Sequence, residues 1–129
     1  MSQTGSRDPL NDEIDAMIAT GGGQYRVNSP IRVNPSPDTI SFTFDISDSH
    51  PYLSLTSMIA PSPDWFVGFR NLNLFEGGSW AESKIVQFSP YDSGSDSGTT
   101  FASPNQDTQP REGIAALLMV QFSLLAMQV

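Results

Sequence analysis

The chain has 129 residues, a length that fits one domain with a moderate hydrophobic core. Hydrophobic residues make up 38% and charged residues 16%, with Gly 10 and Pro 10, a mix that suits short strands joined by many turns and argues against a helical bundle. The net charge of −8 sets the chain against a phosphate backbone and in favour of cations, and the lack of cysteine excludes a disulfide framework and thiolate chemistry.

Residues 1–9 read as a disordered N-terminal stretch, with no apolar run of the signal-peptide kind. Leu10, Ile14, Met17 and Ile18 fall at helical spacing. Asn11 is placed to cap that helix, and Gly21-Gly22-Gly23 to stop it. Residues 21–38 are loop-like, punctuated by Pro30, Pro35 and Pro37. From Ile40 the period changes to two. Ile40, Phe42, Phe44 and Ile46 share one face, with Ser41, Thr43 and Asp45 on the other, so a half-buried strand is expected over 40–46. Tyr52 to Ile59 reads as a second strand. Trp65–Phe69 and Leu72–Phe75 are short apolar runs. Glu76-Gly77-Gly78-Ser79 is a turn, and Trp80–Phe88 is a further strand with Ile85 and Phe88 facing in. Ser89–Gly98 is a loop rich in Gly, Ser and Asp, Thr99–Ala102 a short extended piece, and 103–113 polar. The pattern predicts an all-β, antiparallel sandwich with one short helix. The apolar tail, 114–129, would span about 24 Å as a helix, short of a roughly 30 Å hydrocarbon core. It is expected as a buried terminal element, with a membrane-anchoring tail as the lesser reading.

The carboxylates carry whatever chemistry the chain has. Asp45 ends the alternating strand. Asp64 follows two prolines in Pro61-Ser-Pro-Asp-Trp65, and Asp92 and Asp96 lie in Tyr91-Asp-Ser-Gly-Ser-Asp-Ser-Gly98. Each could cap its own turn through backbone hydrogen bonds. Alternatively, loops at one end of a sandwich could gather them around calcium, which takes about six to eight oxygen ligands. The loop is not an EF-hand. Counted from Asp92, the third, sixth and twelfth positions are Gly94, Ser97 and Ser103, where an acid, a Gly and a Glu are required. Asp96 also stands where a nucleophile elbow needs serine. His50, the only histidine, precedes Pro51 and reads as a turn residue rather than a catalytic base. With one His and no Cys, a zinc site is not expected. Trp65 and Trp80 read as packing residues, Glu76 and Glu82 as solvated.

Several of these runs together resemble one family. Ser57-Met-Ile-Ala-Pro-Ser-Pro-Asp-Trp-Phe-Val-Gly68, Leu72-Asn-Leu74, Ser89-Pro-Tyr-Asp-Ser-Gly-Ser-Asp-Ser-Gly-Thr-Thr-Phe101, Ser103-Pro-Asn105 and Pro110-Arg-Glu112 are similar to the spondin domain. The resemblance covers roughly residues 10–114. It implies an antiparallel β-sandwich like the calcium-dependent lipid-binding domains, and an extracellular setting. It implies attachment to a matrix or cell-surface component, a glycan among the options, with no known catalysis. It also implies a calcium ion at the sandwich end, held by Asp64, by Asp92 28 residues on, and by Asp45 19 positions before Asp64. Asp96 is the weaker candidate ligand. Phe75 stands where animal members carry a cysteine. The family's first strands lie upstream of the helix, so residues 10–113 are expected to be a partial domain with open sheet edges. The alternatives are a carbohydrate-binding or glycoside-acting sandwich, or a truncated product without function.

Overall fold

The computed structural model describes residues 7–28, 41, 43–117 and 122–128; for Phe88 and 122–128 the backbone alone is considered. Among these residues lie one helix and eight strands, all paired antiparallel, which is the expected all-β class.

Helix α1 spans Asp8–Ala19 and starts before Leu10, because Pro9 is tolerated in a first turn and Asp8 favours the positive end of the helix dipole. Asn11 therefore lies inside the helix, its N–H donating to Arg7 O, rather than capping it. The glycines end it as expected. Gly21 takes φ +79°, and Gly21 N–H and Gly22 N–H donate to Ile18 O and Met17 O, the paired bonds of a Schellman stop. No residue of α1 is fully buried. Polar bonds tie the helix and its stop to more distant residues. Arg26 forks onto Asp15 at 2.8 and 2.7 Å, and His50 Nε2 lies 3.3 Å from Gly21 O.

The hydrogen bonds from Arg26 hold the Asp15 carboxyl below its ordinary value. For an acid with a depressed folded pKa, the stabilisation is present above the unfolded value, about 3.9, and is lost as pH falls through the folded one. Melts of the parent and Asp15→Asn should therefore differ at neutral pH and converge at the acid end. A constant gap would separate Asp15 from this pair.

The described part of the expected 40–46 strand carries no ladder. Phe44 and Ile46 are half-buried, Thr43 and Asp45 exposed, so the alternation of faces survives. Ile40 and Phe42 lie outside the described residues. The main sheet has the order β1-β2-β6-β7: β1 (Tyr52–Met58), β2 (Trp65–Asn73), β6 (Pro90–Asp92) and β7 (Ala115–Ala116). In β1, Leu53 and Leu55 are half-buried while Ser54 and Thr56 are exposed. The run Trp65–Phe69 and the Leu72-Asn73 start of the next, expected separately, form one strand, β2. The polar Arg70-Asn71 between them is absorbed by a bulge, with Asn71 at φ 56° and its N–H bonded to Ser54 Oγ at 3.1 Å.

The expected turn at Gly77-Gly78 closes the hairpin of β3 (Phe75–Glu76) and β4 (Ser79–Trp80). Both glycines have positive φ, as the tight hairpin turn requires, and Phe75 packs on Trp80 at 4.9 Å. The strand expected over 80–88 breaks at Ala81-Glu82, leaving β5 as Ser83–Phe88. Ile85 is not inside: it is 65% exposed, while Val86 is half-buried. Thr99–Ala102 is a turn rather than an extended piece, closed by the Ser103 hydroxyl on Thr100 N–H. In the tail, residues 122–128 form strand β8 (Phe122–Gln128), antiparallel to β5, from Ser83↔Gln128 to Phe88↔Phe122. Pairing with the β5 backbone overrides the helical preference of Leu, Ala and Met. Among the described residues no helix is long and apolar enough to cross a membrane. Two apolar side chains, Leu74 at 1% exposure and Pro90, are fully buried among them.

Candidate functional site

The turn before β2 and the strand β6 meet because β2 pairs with β6, with Trp65 opposite Asp92. That register sets Asp64, one residue upstream, beside the loop after Asp92. The loop wraps the Asp64 carboxylate. Oδ2 accepts N–H bonds from Ser95 and Asp96, both at 3.0 Å, and the Ser93 hydroxyl at 3.2 Å. Ser62 fixes the approach from the other side, its Oγ accepting from Trp65 N–H at 3.1 Å. Asp64 is 1% exposed, yet its second oxygen, Oδ1, is buried with no hydrogen-bond partner among the described residues.

A carboxylate so placed is out of electrostatic balance. Burial and the neighbouring Asp92 charge push Asp64 above the ordinary carboxylate range, against the loop donors that favour the ion. An unpartnered buried oxygen near a second carboxylate fits a cation better than it fits a turn cap. Two further buried polar atoms without partners belong to residues tied to this cluster. Trp65 Nε1 belongs to the next residue in the chain after Asp64. Thr108 Oγ1 belongs to the residue whose N–H donates to Ser95 O at 3.0 Å. Buried groups of this kind are commonly completed by ordered water or an ion.

Asp92 caps its own turn, Oδ1 accepting Gly94 N–H at 2.8 Å, and it lies within electrostatic reach of Asp64. Asp96 is 5% exposed and accepts backbone bonds with both oxygens, from Gly98 N–H at 2.8 Å and from Gln106 N–H. Asp45 is exposed on the segment before β1. The structure thus brings Asp64 and Asp92 together. Among the described residues no group of three or more His, Cys, Asp or Glu side chains is placed to hold a metal, so Asp45 is not gathered with them. Ser93, Ser95 and Gln106 were not legible as site residues, because their roles come from contacts between loops. The Ser-Asp-Ser pattern itself was the available signal.

The loop is locked against the chain at 110–112. Gly94 sits at φ +70°, its O accepts Glu112 N–H at 2.8 Å, and a Cβ there would lie 2.5 Å from Glu112 O. Gly77 has a similar φ of +62° but nothing within 4 Å of its would-be Cβ. Ala at either site meets the left-handed penalty, about 1–2 kcal/mol. Chemical denaturation should therefore place Gly94→Ala at least about 1 kcal/mol below Gly77→Ala, the excess being the clash with Glu112. Equal losses would mean that 110–112 yields freely. Trp65 packs on Phe101 at 5.8 Å rather than presenting a bare face, which offers a sugar ring little platform. His50 bonds Ser49 Oγ at 3.2 Å in its turn, as expected.

Comparison with known proteins gives this geometry a family. The family model described as Spondin_N matches residues 1–122. Spondin-2 of Rattus norvegicus is 36% identical over 108 residues, covering 84% of this chain and 33% of that protein. Spondin-2 of Homo sapiens is 35% identical over 108 residues, covering 84% of the chain and 33% of that protein. Spondin-1 of Rattus norvegicus is 37% identical over 109 residues, 83% of the chain and 13% of the relative. The chain thus spans about a third of the Spondin-2 relatives and a smaller share of Spondin-1.

Proposed function

This chain belongs to the Spondin_N family, and on that footing we propose that it is a calcium-binding module of an extracellular surface, serving attachment rather than catalysis. One observation carries the calcium reading: Asp64 Oδ1, buried and without a partner, beside the Asp92 charge. Asp64 and Asp92 would hold the ion, with hydroxyl, backbone or water oxygens filling the remaining positions. The third carboxylate that the resemblance implies, Asp45, stands exposed and ungathered among the described residues, so the ion would have to draw it in. When bound, calcium would neutralise the two acids and tie the turn before β2 to the end of β6. The acidic balance of the chain, −8, agrees with a cation ligand.

The partner accords with that setting: a matrix or cell-surface component, a glycan among them. The extracellular placement rests on the family, whose relatives here are spondins.

Calorimetric titration tests the ion first. The expected dissociation constant is about 10⁻⁴–10⁻³ M, the range of extracellular calcium modules. No heat, and no rise in melting temperature at millimolar calcium, would overturn the reading. Attachment is tested separately, by binding to matrix-coated and cell surfaces with calcium and with chelator. Adhesion that ignores the chelator would detach the ion from that role.

A further inference from the structure

We propose that β1 is a self-association edge: two copies of this chain pair their β1 strands antiparallel across a two-fold axis at Leu55. Among the described residues β1 stands at one end of the order β1-β2-β6-β7, with a strand on one side only. Natural sheets blunt such an edge with charge, proline or a bulge that twists it away. β1 reads Tyr-Leu-Ser-Leu-Thr-Ser-Met, without a charged residue, proline or glycine. The bulge in this pair puts its extra residue in β2, so β1 itself stays regular. Its alternation is fixed at both ends. Pro51 O accepts Leu74 N–H and Ile59 N–H donates to Trp65 O, so the odd positions turn their backbone groups towards β2. Leu55 O agrees, since a Cβ on Gly68 of β2 would lie 2.6 Å from it. The N–H and C=O groups of Tyr52, Ser54, Thr56 and Met58 therefore face the free edge.

A second copy fits that edge along its whole length. Full overlap of the two strands sets Leu55 opposite the other copy's Leu55, Ser54 opposite its Thr56, and Tyr52 opposite its Met58. In this register every edge-facing backbone group meets an edge-facing group. No like charges meet, small hydroxyl residues face each other, and Tyr52, 61% exposed, gains a thioether neighbour. A two-fold contact closes on itself, so assembly stops at two chains. The surface area allows it. The chain exposes 9226 Å², against roughly 6,700 Å² for a folded chain of 14.0 kDa. Covering about 800 Å² per partner, a standard interface, still leaves ordinary exposure. Met58 pairs with Phe66, beside the Asp64 turn, so the antiparallel arrangement sets the two candidate sites at opposite ends of the joined sheet.

Sedimentation equilibrium of the full chain, with calcium and with chelator, tests this. The parent should sediment at twice 14.0 kDa in both. Thr56→Pro removes a donor from the free edge alone and puts a ring in the second strand's path. It should weaken the dimer at least about 10-fold while circular dichroism keeps the parent's strand signal. Raising salt from about 0.01 to 0.15 M should tighten the parent dimer, because two chains of −8 repel and β1 is uncharged. The chain has no cysteine, so single cysteines read the register. Leu55→Cys should link two chains on oxidation, its Cα atoms about 4.5 Å apart across the axis. Ser57→Cys, about 14 Å from its own counterpart, should not. If Thr56→Pro does not fold, the two cysteine variants decide. A monomeric parent, a dimer unchanged in a folded Thr56→Pro, a dimer loosened by salt, or a cross-link through Ser57→Cys and not Leu55→Cys would overturn the proposal.

Discussion

In Asp64→Asn, calcium should no longer raise the melting temperature, while the calcium-free protein should melt at or above the parent's temperature. The two effects have opposite signs because the parent holds a buried charge without full compensation. Asparagine keeps one acceptor oxygen for Ser95 N–H, Asp96 N–H and the Ser93 hydroxyl. It removes the repulsion from Asp92 and puts a donor where the unpartnered Oδ1 stood. At a calcium concentration about 100 times the dissociation constant the parent gains about 2.7 kcal/mol, worth roughly 10 °C in a domain of this size. The asparagine variant should show none of it. Asp64→Ala differs again. It strands the three donors in a buried site, and should cost at least about 3 kcal/mol without calcium. An asparagine variant that keeps the full calcium response would place the ion elsewhere.

Leu74→Ala should cost about 2–5 kcal/mol, the range for emptying a buried aliphatic site, out of the ~5–15 kcal/mol that holds a typical domain together. Leu74 links β2 to β3, its N–H bonded to Pro51 O and its O accepting Ala81 N–H, both at 2.9 Å. The main chain is anchored on both sides, so the site cannot collapse to fill the void. Ile85→Ala, at 65% exposure, should stay within about 0.5 kcal/mol. Urea denaturation followed by circular dichroism compares them. Equal costs would mean that the core does not centre on Leu74.

The strands were legible where local pattern and turn chemistry agree. Tyr52–Thr56 alternates cleanly, and Gly77-Gly78 marks its hairpin without ambiguity. Errors fell where a partner decides the outcome. Arg70-Asn71 read as a break but sits in a bulge opposite Ser54, because the neighbouring strand continues past it. Residues 90–92 read as loop but form β6, since β2 offers them an edge. The 122–128 segment has helix-forming residues and pairs with β5 instead.

The same division runs through the candidate site. Which residues carry charge the sequence determined by itself, and the runs around Asp45, Asp64 and Asp92 marked those three as candidates: charge is local. That Asp64 is wrapped by one loop on Oδ2 and left bare on Oδ1, that Asp96 accepts the amides of Gly98 and Gln106, and that Asp45 stands exposed apart from both, only the tertiary structure decided. The reason is reach. A carboxylate's partners here are backbone amides 31 and 32 residues away, Ser95 and Asp96, brought near by the Trp65–Asp92 register. No spacing in a linear chain specifies which of two oxygens those amides will meet.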